Sequence, residues 1–555
     1  MVASPAANAR SFSVSIRVSC PQSMTAAGAL DPTFATVTQG PCAGIRVSAM
    51  DADPLWDEFC GAAYTDSRGF ARFDAECGDT TNSDPEVFAR IEGRSINGFS
   101  VGVPDLDLWQ RIRDSVSGAL TAGTTMPIYV VNALREHQTM QWLTPESRVT
   151  SGSHDFGSWD IGGSTADGTL STAAARQFWA AQFTMIRLNR GTRHRPMDFN
   201  YTVAGVLPFP TRPTPLPIPN PFPVFAAYDT VIVSVTETAN PTRALVATAH
   251  EIGHVLYNTY HSGMLHWLYE DVTDYMTNHA RCDTNHFQTL AWYEGFANFI
   301  RDYTYQMWDQ RSWNWTAAFR PNFALCTTTN ATGMIVPLPG MHIEGNVQAM
   351  LNTIFFGPIG PGLPSPREAQ FTCPAGHTRE VNTAGVVQCL TTATCTEGRL
   401  SVDHASDGDR CIVLVPDPRP RCSEGNTSCE PVDRPFAIHC ASGSPLPRPG
   451  PDACVSPATH TIAAGTPQPR PDGTPDMTIG LDSSGAAAWF TLPDLDDVIE
   501  WVSAGGTDGH RAREYWTNWI RPWCLAADDT RSRYCDPTQS PTFLGQLRTL
   551  DPGLM

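Results

Sequence analysis

The sequence predicts a multidomain α+β fold: an N-terminal β-sandwich, a domain joining a mixed sheet to a capped amphipathic helix, and a helical lobe carrying a Cys-rich insertion. Three observations carry this reading. Phe12, Val14, Ile16 and Val18 alternate strictly with polar residues, the period of a half-buried strand. Between Asn240 and His261 the apolar period changes to that of a helix. Eight of the sixteen cysteines fall between Cys373 and Cys454, where Pro, Gly and Ser are dense and periodicity is weak.

Taken in order, strands are expected at Gly44–Met50, Gly69–Asp74 and Glu86–Ile91, with turns at Asp66–Gly69 and around Asp84–Pro85. They complete a small sandwich over residues 1–98. Asp51, Asp53, Asp57 and Glu58 form an acidic group, read as turn-forming acids rather than as a Ca²⁺ site. Gly93–Pro104 reads as a linker. Residues 99–365 follow as the second unit, with a buried strand at Pro127–Asn132, a helix at Ala173–Leu188 and a strand at Asp229–Val235. Eight prolines between Pro208 and Pro223 force an extended path, read as a stiff loop. A helix at His342–Phe355 precedes the Cys-rich insertion, 366–460. Helical spacing returns at Pro493–Val502 and His510–Trp523, within a C-terminal part spanning 461–555.

With 555 residues and 41 % hydrophobic content, the chain has ample material for ordinary cores. A net charge of -19 argues against nucleic acid or anionic membranes as partners. All 37 basic residues are arginine, which excludes Schiff-base, pyridoxal-phosphate and phosphate-loop chemistry that needs lysine. No Cys-x-x-Cys occurs, so disulfides are expected rather than a zinc ribbon, and with them an oxidising, extracellular compartment. The first residues lack a signal-peptide core, so the sequence is expected to begin after a removed leader. No apolar run reaches membrane-spanning length.

The chemistry concentrates on the capped helix. Asn240 suits the N-cap and Pro241 the first turn, while Leu245, Ala249, Ile252, Val255 and Leu256 define an inward face. His250 and His254 lie four apart with Glu251 between them, the zinc-binding His-Glu-x-x-His arrangement. Two neutral imidazoles hold Zn²⁺ without exhausting its Lewis acidity, and a third protein ligand leaves one position for water. Glu251 can take a proton from that water and pass it to a leaving amine.

The third ligand decides the class. A metzincin would need Gly and His three and six residues past His254, where Tyr257 and Tyr260 stand; His261 misses that spacing by one. Downstream, Phe287–Tyr303 is a strongly apolar helix with Glu294 among Trp292, Tyr293, Phe296 and Ala297. A carboxylate there calls for a metal or an ion pair.

With these residues in view the chain resembles the gluzincin metallopeptidases, the thermolysin-like and aminopeptidase-like enzymes. Their third ligand is a Glu on a downstream helix, often within Glu-Gly-Phe-Ala, as Glu294–Ala297 read here. The resemblance implies a zincin-type catalytic domain with one catalytic Zn²⁺ on His250, His254 and Glu294, Glu251 as base, and a protein or peptide substrate. It also implies that the Asn298 amide oxygen accepts a hydrogen bond from a zinc-bound histidine. Two departures stand out. The gap from His254 to Glu294 is about twice the family's usual one and contains His266, His279, Cys282 and His286; and the Gly-x-Met-Glu-Asn element of the aminopeptidases is absent, which favours an endopeptidase. The N-terminal stretch from Asp51 to Phe73 looks like the transthyretin-like domains found beside secreted hydrolases, which implies a binding or spacing role.

An oxyanion donor stays open among Tyr257, Tyr260, His261, His266, Tyr293 and His342. A metzincin-like enzyme using His261 and a non-catalytic, metal-stabilised adhesion or binding protein are the alternatives. For the cysteines, short loops between ordered segments predict the pairs Cys20–Cys42, Cys60–Cys77 and Cys524–Cys535.

Overall fold

The structure is a computed structural model. It describes residues within 10–23, 37–104, 137–191, 203–207, 224–234, 241–260, 281–306, 324–356, 371–414 and 444–498, with further breaks inside several of these ranges. The described residues form a mixed α/β protein with four helices.

The N-terminal strands are β1 (Arg10–Gln22), β2 (Thr38–Pro41), β3 (Ile45–Asp51), β4 (Glu58–Tyr64), β5 (Phe70–Cys77), β6 (Glu86–Ser95) and β7 (Ser100–Pro104). The alternation at Phe12–Val18 is realised in β1, whose apolar side chains are all buried. β1 pairs antiparallel with β2 and β5. In the second sheet β3 lies between β4 and β6, both antiparallel. The turn at Asp66–Gly69 forms as expected. Gly69 sits at φ 77°, and the Asp66 carboxylate accepts the N–H groups of Arg68 and Phe70 at 2.8 and 3.0 Å. Cys60–Cys77 tie the two sheets, and Cys20–Cys42 tie β1 to the chain before β3; both pairs lie at disulfide distance, as the loop lengths predict.

The sandwich does not end at a linker. Gly93–Pro104 is largely strand, and a Cβ at Gly93 would meet the Val101 carbonyl oxygen at 2.7 Å, so the glycine serves close backbone approach rather than mobility. The short strands β8 (His137–Thr139), β9 (Gln141–Leu143) and β10 (Ser147–Arg148) extend the second sheet, while β11 (Ser153–Asp160) joins β1 in parallel. Beyond helix α1 (Gly168–Gly191), β12 (Val203–Leu207) pairs in parallel with both β7 and β14 (Thr230–Ser234), and β13 (Val224–Ala227) closes the edge. One sheet thus runs from the N-terminal strands to the helix region.

Three further helices follow: α2 (Pro241–Tyr260), α3 (Gln288–Gln306) and α4 (Glu344–Phe356). Each matches a helix expected from periodicity. One buried cluster joins Val14 and Ile91 of the strands to Phe178, Leu245, Phe299 and Met350 of the four helices.

The Cys-rich stretch holds more regular structure than its composition suggests. Its short strands include Val386–Leu390, Arg410–Leu414 and Ala453–Pro457, with Cys373–Cys389 and Cys395–Cys411 at disulfide distance. Pairing continues past residue 460, since Ile462–Ala463 and Ala487–Trp489 both lie against Val386–Leu390. Leu495 and Val498, the described residues of the expected helix at 493–502, are buried in the common core. The strand at 127–132, the prolines at 208–223, the helix at 510–523 and Cys524–Cys535 lie outside the described residues. No helix among the described residues is long and apolar enough to cross a membrane.

Candidate metal centre

Helix α2 starts at Pro241, whose ring geometry suits the first helical position. Its apolar stripe, Leu245, Ala249, Ile252, Val255 and Leu256, is wholly buried, and α1 packs against this helix with Thr248 Oγ1 bonded to Gln177 Oε1 at 3.1 Å. With that face fixed inward, His250 and His254 stack one turn apart, their rings edge to face at 4.6 Å.

Two glycines bring Glu294 to them. A Cβ at Gly253 would meet the Cα of Ala297 at 2.7 Å, so α2 and α3 touch nearly backbone to backbone between the two histidines. A Cβ at Gly295 would meet Val347 at 2.6 Å and the Glu344 carbonyl oxygen at 2.9 Å, so α3 and α4 are equally close beside the acid. Sequence periodicity locates all three helices but carries no signal for these crossings.

The result is a compact triangle. Glu294 Oε2 lies 3.1 Å from His250 Nε2 and 3.3 Å from His254 Nε2, and the two Nε2 atoms are 3.1 Å apart. Donor atoms held about 2.0–2.1 Å from a tetrahedral ion stand about 3.3–3.4 Å from one another, close to these edges. His250, His254 and Glu294 could hold a metal ion, and they form the one such group of three among the described residues. Burial raises the Glu294 carboxyl pKa; the His254 charge and hydrogen bonds from both imidazoles outweigh it and leave the group well below the usual range. A metal ligand of this kind is the ionised carboxylate. His254 is 1 % exposed and Glu294 3 %, whereas His250 is 20 % exposed, so the cluster opens on the His250 side.

Glu251 is buried beside the cluster, with Oε1 4.0 Å from His250 Nε2. Asn298, one turn beyond Glu294, is also buried, and its Nδ2 donates to Glu344 Oε1 of α4. Tyr293 lies flat on the His254 ring with centroids 4.0 Å apart, and Tyr257 meets Tyr293 edge-on at 5.3 Å. Both are packed at the ligands, while His342 is exposed ahead of α4. The Tyr260 side chain, His261, His266, His279 and His286 lie outside the description. Asp51 and Glu58 face each other across β3 and β4, and Asp53 is outside the described residues.

Sequence reasoning missed Glu344 and the Cys282–Cys326 pair, which is at disulfide distance. That pair closes a loop around α3. Arg281 beside it donates to Gln348 Oε1 at 2.7 Å and to the Ala324 carbonyl at 2.9 Å.

No protein-family model matches the chain, and no curated protein matches it. Among solved structures, a 9R-lipoxygenase from Cyanothece aligns at 12 % identity and a TM-score of 0.15, covering 32 % of this chain and 23 % of that one. A likeness of that size carries no argument about fold or chemistry.

Proposed function

We propose that the protein is a secreted, zinc-dependent endopeptidase of the gluzincin type. The observation that carries this reading is the meeting of Glu294, from a separate helix, with both histidines of the His-Glu-x-x-His helix in a triangle of tetrahedral size. Two imidazoles and one carboxylate suit Zn²⁺ in a site with an open position. When bound there, zinc supplies Lewis acidity that polarises a peptide carbonyl and acidifies water.

The protein's own groups do the rest. Glu251, next to one ligand and outside the ligand set, accepts a proton from the attacking water and delivers it to the leaving amine. Tyr257 and Tyr293 are buried against the carboxylates, and the partly exposed His250 edge is the side from which a peptide would reach them. Cysteine pairs at disulfide distance, five in all among the described residues, support an oxidising compartment.

Glu251→Gln separates chemistry from metal binding. The purified variant should keep about one zinc per chain while casein hydrolysis falls by about 10²- to 10⁴-fold. A variant that holds zinc and cleaves casein at the parental rate would refute the assignment. A parent protein that holds zinc but cleaves no unfolded protein, even after limited proteolysis, would favour a metal-stabilised binding module.

A further inference from the structure

Glu344 is a buried acid in the first turn of α4 with no place in the chemistry above. Its Oε1 accepts the Nδ2 amide hydrogen of Asn298. A carboxylate oxygen only accepts, so the bond selects which end of the Asn298 amide faces α4. The Asn298 carbonyl oxygen is then turned to the opposite side. Asn298 lies one helical turn from Glu294 and therefore on the same face of α3, and its neighbour Ala297 touches Gly253, the residue before His254. His254 Nδ1, on the facing helix α2, is buried and makes no hydrogen bond in this structure, to Asn298 or to any other described residue.

A histidine that binds metal through Nε2 carries its proton on Nδ1 and almost always donates it to an oxygen. We propose that Glu344 is a positioning residue: it fixes the orientation of the Asn298 amide so that Oδ1 becomes the acceptor for the His254 ring when that ring binds a metal. The inference rests on the metal reading of the His250, His254 and Glu294 cluster. Arg281, which donates to the Gly345 carbonyl and to Gln348, holds the first turns of α4 in place for this contact.

The test uses the full chain and Co²⁺ as a spectroscopic probe, with affinity measured by competition against a chelator. Glu344→Gln keeps the volume of the side chain but can donate as well as accept, so it releases the choice of amide orientation. Affinity for Co²⁺ should fall about 10- to 100-fold, the usual effect of losing an outer partner, and the visible bands should shift with the ligand field. The double variant Asn298→Asp with Glu344→Gln reverses the polarity of the bond, since the amide introduced on α4 then donates to the acid introduced on α3, and a carboxylate oxygen remains for His254. It should restore affinity and spectrum.

A lowered melting temperature with unchanged Co²⁺ affinity in the folded Glu344→Gln protein would make the bond merely structural and overturn the proposal. Failure of the double variant to recover affinity would overturn it too. If Glu344→Gln does not fold, the double variant alone decides, by matching or missing the parental spectrum. A parent that binds no Co²⁺ would instead defeat the metal reading itself.

Discussion

Gly253→Ala is the smallest change that tests how the helices assemble the site. The added Cβ would lie 2.7 Å from the Cα of Ala297 and 3.2 Å from its Cβ and carbonyl oxygen. Ordinary contact begins near 3.4 Å, and backbone atoms of a packed helix cannot turn aside, so α2 and α3 must part by about 0.7 Å. Overpacking of this kind costs about 1–3 kcal/mol, partly offset by the roughly 1 kcal/mol that Ala gains over Gly in a helix. Metal binding should suffer more. Ligand atoms must sit within about 0.2 Å of their places, so a carboxylate displaced by about 0.7 Å leaves two histidines without their third partner. Affinity should fall by more than the 10- to 100-fold typical of an outer-partner loss. Chelator competition gives the affinity, and thermal unfolding of the metal-free protein gives the packing cost. Adding Ala297→Gly should recover little, because the closest clash is with Cα. A Gly253→Ala protein with parental affinity and undiminished metal-free stability would refute the crossing.

Glu92 makes a prediction about pH. Buried among Arg46, Arg90 and Arg94, with Ser48 Oγ donating at 2.9 Å, its carboxyl is raised by burial but drawn down further by the arginines, from 4.5 to about 2. A depressed folded pKa stabilises the protein above the unfolded value, so about 3 kcal/mol is present at neutral pH and is lost as pH falls from about 4.5 towards 2. Urea midpoints of the parent and of Glu92→Gln should converge over that window; a constant difference would contradict the shift. Removing both Cys282 and Cys326 opens a loop with a sequence separation of 44 and should cost about 4 kcal/mol by chain entropy. Peptide mapping without reductant should recover these two cysteines in one linked fragment, and free thiols at both would disprove the pair.

Much of this was legible in the sequence, and the physical reason is locality. Alternation at Phe12–Val18 and the 3.6-residue period at Leu245–Leu256 depend on neighbours along the chain, so β1 and α2 fall where periodicity places them. His250 and His254 are legible for the same reason. Glu294 needed a second argument, that an acid within an apolar helix must be compensated. What could not be read is pairing across distance. Ser13 of β1 lies beside Ser153 of β11, and Gly205 of β12 beside Gly102 of β7, contacts that no local period encodes. Gly93, Gly253 and Gly295 misled or stayed silent because a glycine required for close approach looks in sequence like a glycine that loosens a chain.

The helices also differ in how they are fastened to one another. α1 and α2 share the Thr248–Gln177 bond, and α3 and α4 share Asn298–Glu344 together with Asp302, whose Oδ2 accepts from Gln348 and Asn352 at 2.7 Å each. These bonds do not depend on any ion. Between α2 and α3, His250 and His254 contact Glu294, flanked by Tyr293, which stacks on His254 and meets Tyr257 edge-on. A metal bound by those three residues would therefore add a directional link across this interface. An ion that binds only the folded protein adds about 2.7 kcal/mol at a hundredfold excess over its dissociation constant, and here that stabilisation is localised. Chelation should consequently raise amide hydrogen exchange first in the turns around His250–Tyr257 and Tyr293–Asn298, while α1 and the Asp302 side of α4 keep their protection. Equal loss of protection in all four helices would mean that the bundle opens as one unit and that the ligand cluster fastens nothing in particular.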